Sequence, residues 1–398
     1  MHPADEIRGI KSKILSNKKI ILGITGSIAA VECIKLSREL IRNGAEVIPV
    51  MTESATKIIH PYAIEFATGN KPIIELTGQA EHVKFCGRVK KPADLFLISP
   101  CTANTISKIA HGIDDTTVTT FATTAIGSKI PIIIVPAMHL SMYDHKIIEK
   151  NIKICKENGI KFIDPYIDRN KAKMADIEDI VSYVIRETGN QDFNKKKILI
   201  IGGATSESID DVRFVTNRSS GKTAIWLAKN AYYRNADVEL WYGKGTETPP
   251  SYIKTTNFES INDLIKMIKP NILKKFDIII NCAAISDYSP IKKSGKIPSG
   301  KTKLVIDLKP TQKVISILRK NANKAKIVGF KVEENKKQLK NKAYDLLKKN
   351  KLDFVVGNTI SGFNNDSNEI LIIDKKLKTI NKKGKKEVLT NYILDIIK

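Results

Sequence analysis

A short apolar strand running through a glycine turn into an amphipathic helix occurs twice in this chain, and such units build α/β sheets with helices on both faces. The first copy is Lys19–Gly23 (KIILG), the turn Gly23-Ile-Thr-Gly-Ser-Ile-Ala-Ala30, and a helical run over Ile28–Asn43 that stops at Gly44. The second is Lys197–Ile201 (KILII), the turn Gly202–Gly203, and a helical run over Lys222–Arg234. Further strands follow each: Glu46–Met51, Leu95–Ser99 and Ile130–Val135 in the first half, Val238–Tyr242, Asp277–Ile280 and Asp353–Val356 in the second. Between the halves, Glu187–Lys197 is polar and reads as a linker. With 398 residues, more than one ordinary core holds, the chain is expected to form two tandem Rossmann-like α/β domains with mainly parallel sheets, at 1–190 and 191–398.

Composition removes several classes of function. No apolar run approaches the roughly 20 residues of a membrane span, and the N-terminus lacks a signal-type apolar core, so a cytoplasmic protein with no membrane partner is expected. The five cysteines are scattered without a CxxC pair, which argues against a disulfide framework and a structural zinc site. The net charge of +24 comes from lysines spread along the chain without a nucleic-acid motif; they read as a solvated surface that steers anionic substrates inward.

Three polar loops should meet at the carboxyl ends of the first sheet, where open α/β sheets bind ligands. They are Met51-Thr-Glu-Ser-Ala55, Ser99-Pro-Cys-Thr-Ala-Asn104 and Pro136-Ala-Met-His-Leu-Ser-Met-Tyr143. The glycine turn suits a phosphate, and Ser27 is placed either to cap the following helix or to bind a phosphate oxygen. Together with His82 and the segment SPCTANTISKIAHGI, these motifs resemble the flavin-containing cysteine decarboxylases over about residues 18–185, above all the phosphopantothenoylcysteine decarboxylases.

That resemblance implies a flavodoxin-like domain holding FMN on Gly26, Ser27, Thr52, Ser54, Ser99, Thr102, Asn104 and Met138. It implies oxidative decarboxylation of a C-terminal cysteine residue, with no net redox change once the flavin returns its hydride. His82 would be the general base, imidazole being the side chain that ordinarily titrates near neutrality. Two positions depart from the family. His139 stands where an asparagine holds the substrate carboxylate, and Pro165–Met174, matching a mobile flap, lacks its proton-donating cysteine. Cys155, in an expected helix upstream, is not a replacement.

In the second half, Ile209-Asp-Asp-Val-Arg-Phe-Val-Thr-Asn-Arg-Ser-Ser-Gly-Lys222 offers amides and hydroxyls before a helix, without Walker A spacing. Asn281-Cys-Ala-Ala-Ile-Ser-Asp-Tyr288 follows a strand, and Gly295-Lys-Ile-Pro-Ser-Gly300 presents Lys296 on what reads as a flexible loop. Val328–Lys331 and 356–366 read as further strand-end loops. In order, these segments resemble the phosphopantothenate–cysteine ligases over about residues 196–396.

The implied reaction activates the carboxylate of 4′-phosphopantothenate as an acyl-nucleotide, which the cysteine amine then opens. Asn217 would contact that intermediate, and Lys296 would act on the phosphate or in amide formation. Ala283, Ala284, Asp287, Thr311, Gln312, Lys313, Val314, Phe330 and Lys342 would surround the nucleotide, with Mg²⁺ on Asp287. The fused architecture favours CTP over ATP. The resemblance implies a homo-oligomer, a closed dodecamer where trimeric flavin-domain contacts combine with dimeric ligase-domain contacts. Outside this class, a dinucleotide-dependent reductase lacks its GxGxxG with a following acid, and a basic nucleic-acid-binding protein would have to show salt-dependent binding. Related flavin prenyltransferases and cysteine-peptide decarboxylases lack the second half.

Overall fold

The five strands of the first half lie in the order Glu46–Met51, Lys19–Ile24, Leu95–Cys101, Ile132–Pro136, Lys161–Phe162, all parallel. This is the doubly wound arrangement whose crevice opens where strand order reverses, beside Lys19–Ile24. The strands are apolar because both faces are covered: Leu95–Cys101 and Ile132–Pro136 are buried at every position. The helix Cys33–Arg42 turns Cys33, Leu36, Ser37, Leu40 and Ile41 inward, one helical face. The computed structural model describes residues 2–300, 302–360 and 366–398, so part of the expected 356–366 loop lies outside the described residues. Contacts divide the chain into Met1–Gly189 and Asn190–Lys398.

The first helix differs from its expected form. Ile28–Glu32 is a 3₁₀ turn, and the α-helix begins only at Cys33. Ser27 makes no side-chain cap, because its hydroxyl donates to the Ala137 carbonyl at 3.1 Å. The stretch resembling a flap is a hairpin, Tyr166–Asp168 with Lys171–Lys173, and it continues into a third strand, Met138–His139, in the register Met138↔Ala172 and His139↔Lys171.

The second unit carries an eight-stranded sheet in the order Lys254–Asn257, Asp237–Tyr242, Lys197–Gly202, Ile278–Asn281, Lys326–Glu333, Phe354–Thr359, Ser367–Asp374, Thr379–Lys385. The first six strands are parallel and Ser367–Asp374 pairs antiparallel with both of its neighbours, so this sheet is mixed. Val328–Lys331, expected as a loop, lies inside a strand, and so do Val356–Thr359. Glycine misled both readings. Gly329 and Gly357 are small so that Leu352 and Leu339 can close on the sheet: a Cβ there would meet their side chains at 2.9 and 3.0 Å.

Gly202 shows the same device at the first turn, where a Cβ would lie 2.0 Å from that of Ala224 on the helix Lys222–Tyr233. Gly202→Ala is therefore expected to cost this unit about 1–3 kcal/mol by overpacking. Both tryptophans, Trp226 and Trp241, belong to this unit, so urea unfolding followed by tryptophan fluorescence reads it selectively. An unchanged midpoint would contradict the close approach.

Candidate functional sites

In the first unit, side-chain hydroxyls stitch the strand-end loops together. Thr25 Oγ1 donates to the Pro100 carbonyl at 2.9 Å and accepts from the Thr102 amide at 3.1 Å. The Ser27 bond to Ala137 joins the first turn to the third loop, and Thr117 Oγ1 donates to the Met51 carbonyl at 2.7 Å. Gly26 faces Ser54 so closely that a Cβ on it would sit 2.6 Å from Ser54 Cβ. Thr52 and Thr102 cap the helices Glu53–Thr56 and Ala103–Ala110 through their hydroxyls. Ser54 and Asn104, in the first turns of those helices, are exposed. Ser99 is fully buried, and its hydroxyl donates to Met174 Sδ at 3.3 Å, tying the second loop to the end of the hairpin.

His82 lies on the short helix Glu81–Cys86. Its ring sits edge-on to Phe121 with centroids 6.5 Å apart. Nδ1 is shielded from solvent and has no hydrogen-bond partner among the described residues. Structural histidines normally satisfy such an atom. His139 is exposed, with Nδ1 2.8 Å from Ser141 Oγ, and half-buried Met138 precedes it on the strand that pairs with the hairpin. Of the cysteines, Cys33, Cys86, Cys101 and Cys155 are buried, and burial pushes the Cys155 thiol up to about 11. The chemistry of the donor set fits a flavin phosphate and ring: a tight glycine turn, two exposed polar side chains at helix starts, and an unbonded imidazole nitrogen.

In the second unit, Asn217 Nδ2 donates to the Ala284 carbonyl at 3.0 Å, tying the amide-rich run to the segment after Ile278–Asn281. One cavity is lined by Asn217, Ala283, Ala284, Asp287, Thr311, Gln312, Lys313, Val314, Phe330 and Lys342, so the structure brings these expected residues together. Thr311 Oγ1 donates to the Ser286 carbonyl at 2.7 Å, and Lys313 is ion-paired with Asp287. On the helix Lys336–Lys349, Lys342 and Lys349 face this cavity together with Asp345, and Lys342 is paired with Glu333 at 2.8 Å.

Lys296 is different. It is exposed and lines neither this cavity nor its neighbour. Its loop is anchored, contrary to the flexible reading: the Gly295 amide donates to Asp211 at 2.8 Å and the Ile297 amide to Asp210 at 3.0 Å. The Ile297 amide is the largest influence holding the Asp210 carboxyl below the usual range, helped by the Val212 and Arg213 amides. Arg213 thus serves the loop, bonded to Asp210 and to the Ile297 carbonyl, whereas Arg218 reaches the first cavity wall.

Sequence reasoning missed Asn281. It ends an otherwise isoleucine strand, is 8% exposed, lines the same cavity, and its Oδ1 has no partner among the described residues. A polar residue closing an apolar strand was the available signal. A second cavity shares Ala283, Ala284 and Phe330 with the first and extends to Ser219, Ser220, Lys222 and Lys386. Cys282 also lines it; burial lifts its thiol to about 12, so a neutral thiol faces that space.

Loops at the crevice of a parallel sheet, followed by a two-chambered site at the switch of a second sheet, define a tandem flavoprotein and nucleotide-type enzyme. The Flavoprotein family matches residues 9–189, and the DNA/pantothenate metabolism flavoprotein C-terminal domain family matches residues 193–398. The coenzyme A biosynthesis bifunctional protein CoaBC of Thermococcus kodakarensis is 44% identical, covering 99% of both chains. That of Methanocaldococcus jannaschii is 41% identical over 100% of this chain and 98% of its own. A solved C-terminal domain of a CoaBC protein is 28% identical with a TM-score of 0.44, covering 52% of this chain and 96% of that one. The chain belongs to the bifunctional CoaBC family of coenzyme A biosynthesis, with a flavoprotein decarboxylase domain followed by a phosphopantothenate–cysteine ligase domain. Among the described residues, no helix is long and apolar enough to cross a membrane.

Proposed function

We propose that residues 191–398 join 4′-phosphopantothenate to cysteine at the expense of CTP, and that residues 1–190 decarboxylate the product to 4′-phosphopantetheine with FMN, in the cytoplasm and as a homo-oligomer, a dodecamer if both families' contacts form. The observation that carries this reading is the Asn217–Ala284 bond at the wall shared by the two cavities. One chamber suits the nucleotide and the other the acid, so the carboxylate and the α-phosphorus meet at that wall. The carboxylate oxygen bonds to the α-phosphorus and pyrophosphate leaves. The cysteine amine then attacks the acyl carbon, and the nucleoside monophosphate leaves with the bonding pair.

Charge grows on phosphate oxygens in both steps, so fixed donors and cations supply most of the stabilisation. Asn217 would hold the acyl-nucleotide, and Lys342 and Lys349 the phosphates. Lys296, on its anchored loop, would act from outside the cavity wall. Asp287 and Asp345 are the carboxylates lining this cavity. Mg²⁺ typically takes one or two carboxylates plus nucleotide phosphates, so they fit it, with Lys313 ceding Asp287.

In the first unit, Gly26, Ser27, Thr52, Ser54, Ser99, Thr102, Asn104 and Met138 would hold FMN, directly or by shaping the loops. When bound there, FMN supplies the hydride acceptor that makes loss of CO₂ easy and returns the hydride afterwards. His82 takes a proton on its unbonded Nδ1 as general base, and His139 donates to the substrate carboxylate.

Product analysis by mass spectrometry tests the reading, with 4′-phosphopantothenate, cysteine, Mg²⁺, and CTP or ATP in parallel. 4′-Phosphopantetheine with loss of CO₂ is expected, formed faster with CTP. Faster turnover with ATP would reverse the nucleotide assignment. Accumulation of phosphopantothenoylcysteine would leave the ligase standing and place the defect in the hairpin that lacks a cysteine. Neither product from folded, yellow protein would sink the ligase assignment.

A further inference from the structure

Lys386 is a lysine where a lysine should not be. It is 6% exposed, lines the second cavity, and its ammonium has no hydrogen-bond or ion-pair partner among the described residues. Its stem is packed away while the ammonium faces the cavity without a protein counter-ion, a charge left free to meet an anion there. Its position adds to this, because it opens the helix Lys386–Ile397, where the helix dipole is positive. The helix Lys222–Tyr233, packed beside it, also opens on a lysine, and its N-cap is Gly221, which offers no side-chain acceptor.

Two helix N-termini and two ammonium groups therefore converge on one space. Asp366 and Glu247 are the carboxylates within electrostatic reach of Lys386, and Asp366 is already ion-paired with Lys222. Burial first, and then the Lys222 charge, depress the Lys386 pKa. The two helix starts and the two ammonium groups favour an incoming anion against the opposing charges of Asp366 and Glu247, and Ser219 and Ser220 add hydroxyls at the same turn.

The two cavities decide which anion. They meet at Ala283, Ala284 and Phe330, and Lys386 lines only the one away from Asp287, Thr311 and Lys342. If the carboxylate of the acid must reach the nucleotide's α-phosphorus at the shared wall, the opposite end of the acid is left in the chamber of Lys386. That end carries a phosphate.

We propose that Lys386 is the residue by which the ligase unit recognises the 4′-phosphate of its acid substrate, closing it against the Ser219–Lys222 turn. This rests on the ligase reading above. The lysine is specificity-determining: it separates phosphopantothenate from pantothenate, which shares every other group.

Lys386→Met in the full-length enzyme keeps the length of the side chain and removes its charge. Ligation is measured with 4′-phosphopantothenate and with pantothenate, each varied at saturating cysteine and nucleotide. A charge-assisted bond lost at a desolvated site predicts a rise of about 10- to 100-fold in KM for 4′-phosphopantothenate. The preference for the phosphorylated acid should shrink by the same factor, with KM for the nucleotide unmoved and Lys386→Arg recovering most of the preference. An unchanged preference, or equal weakening of both acids, would overturn the proposal, the latter by reducing Lys386 to packing. Should the methionine variant not fold, Lys386→Gln keeps a polar tip and is judged by the same ratio. Wild-type enzyme that ligates neither acid would instead sink the ligase reading, a result distinct from failure of Lys386 alone.

Discussion

His82→Asn is expected to lower CO₂ release from phosphopantothenoylcysteine by about 10²- to 10⁴-fold, the range a positioned general base contributes. The change is nearly isosteric at the Phe121 edge and leaves an amide unable to take a proton at neutral pH. Formation of phosphopantothenoylcysteine should continue at the wild-type rate, because the residue lies in the unit of residues 1–189. Quenched time courses that separate the two products check this. A variant that folds, stays yellow and loses both activities would argue against two separate sites. One that loses neither would make the shielded Nδ1 a structural accident.

Asn217→Asp should produce the mirror result. The side chain keeps its size, but no Nδ2 remains to donate to the Ala284 carbonyl 3.0 Å away. A carboxylate there faces that carbonyl oxygen and the phosphates of an acyl-nucleotide, repelling both. A loss of about 10²- to 10³-fold in ligation is expected, the scale of removing one preorganised donor from a developing charge. Decarboxylation of supplied phosphopantothenoylcysteine should be untouched. If ligation persists within about threefold, a margin of less than 1 kcal/mol, the Asn217 contact merely braces the wall.

The sheets were legible because buried parallel strands are written in continuous apolar runs such as LFLIS and IPIIIV, and DIII and KILII mark central strands. The polar strand-end loops were legible for the same reason, each beginning where such a run stops. What escaped was set by three-dimensional neighbours. Met138–His139 and Lys171–Lys173 are two and three residues long, too short to show a period. Gly329 looked like a turn but makes room for Leu352. Lys386 sits in the run KKGKKE, where every lysine looks solvated, and only the packing of two helix starts sets it apart. Lys296, expected to act on the phosphate or in amide formation, stands on a loop whose amides at Gly295 and Ile297 are held by Asp211 and Asp210.

The ladder joining Met138–His139 to Lys171–Lys173 has a mechanical meaning. A cover hinged only at its base can lift while the floor stays still. Here floor and cover share main-chain hydrogen bonds, so lifting the hairpin either breaks that ladder or drags His139 along. If His139 holds the substrate carboxylate as proposed, admission of phosphopantothenoylcysteine and alignment of that carboxylate become one motion, and engineering a cysteine into the hairpin would alter the grip at His139 as well as the supply of protons.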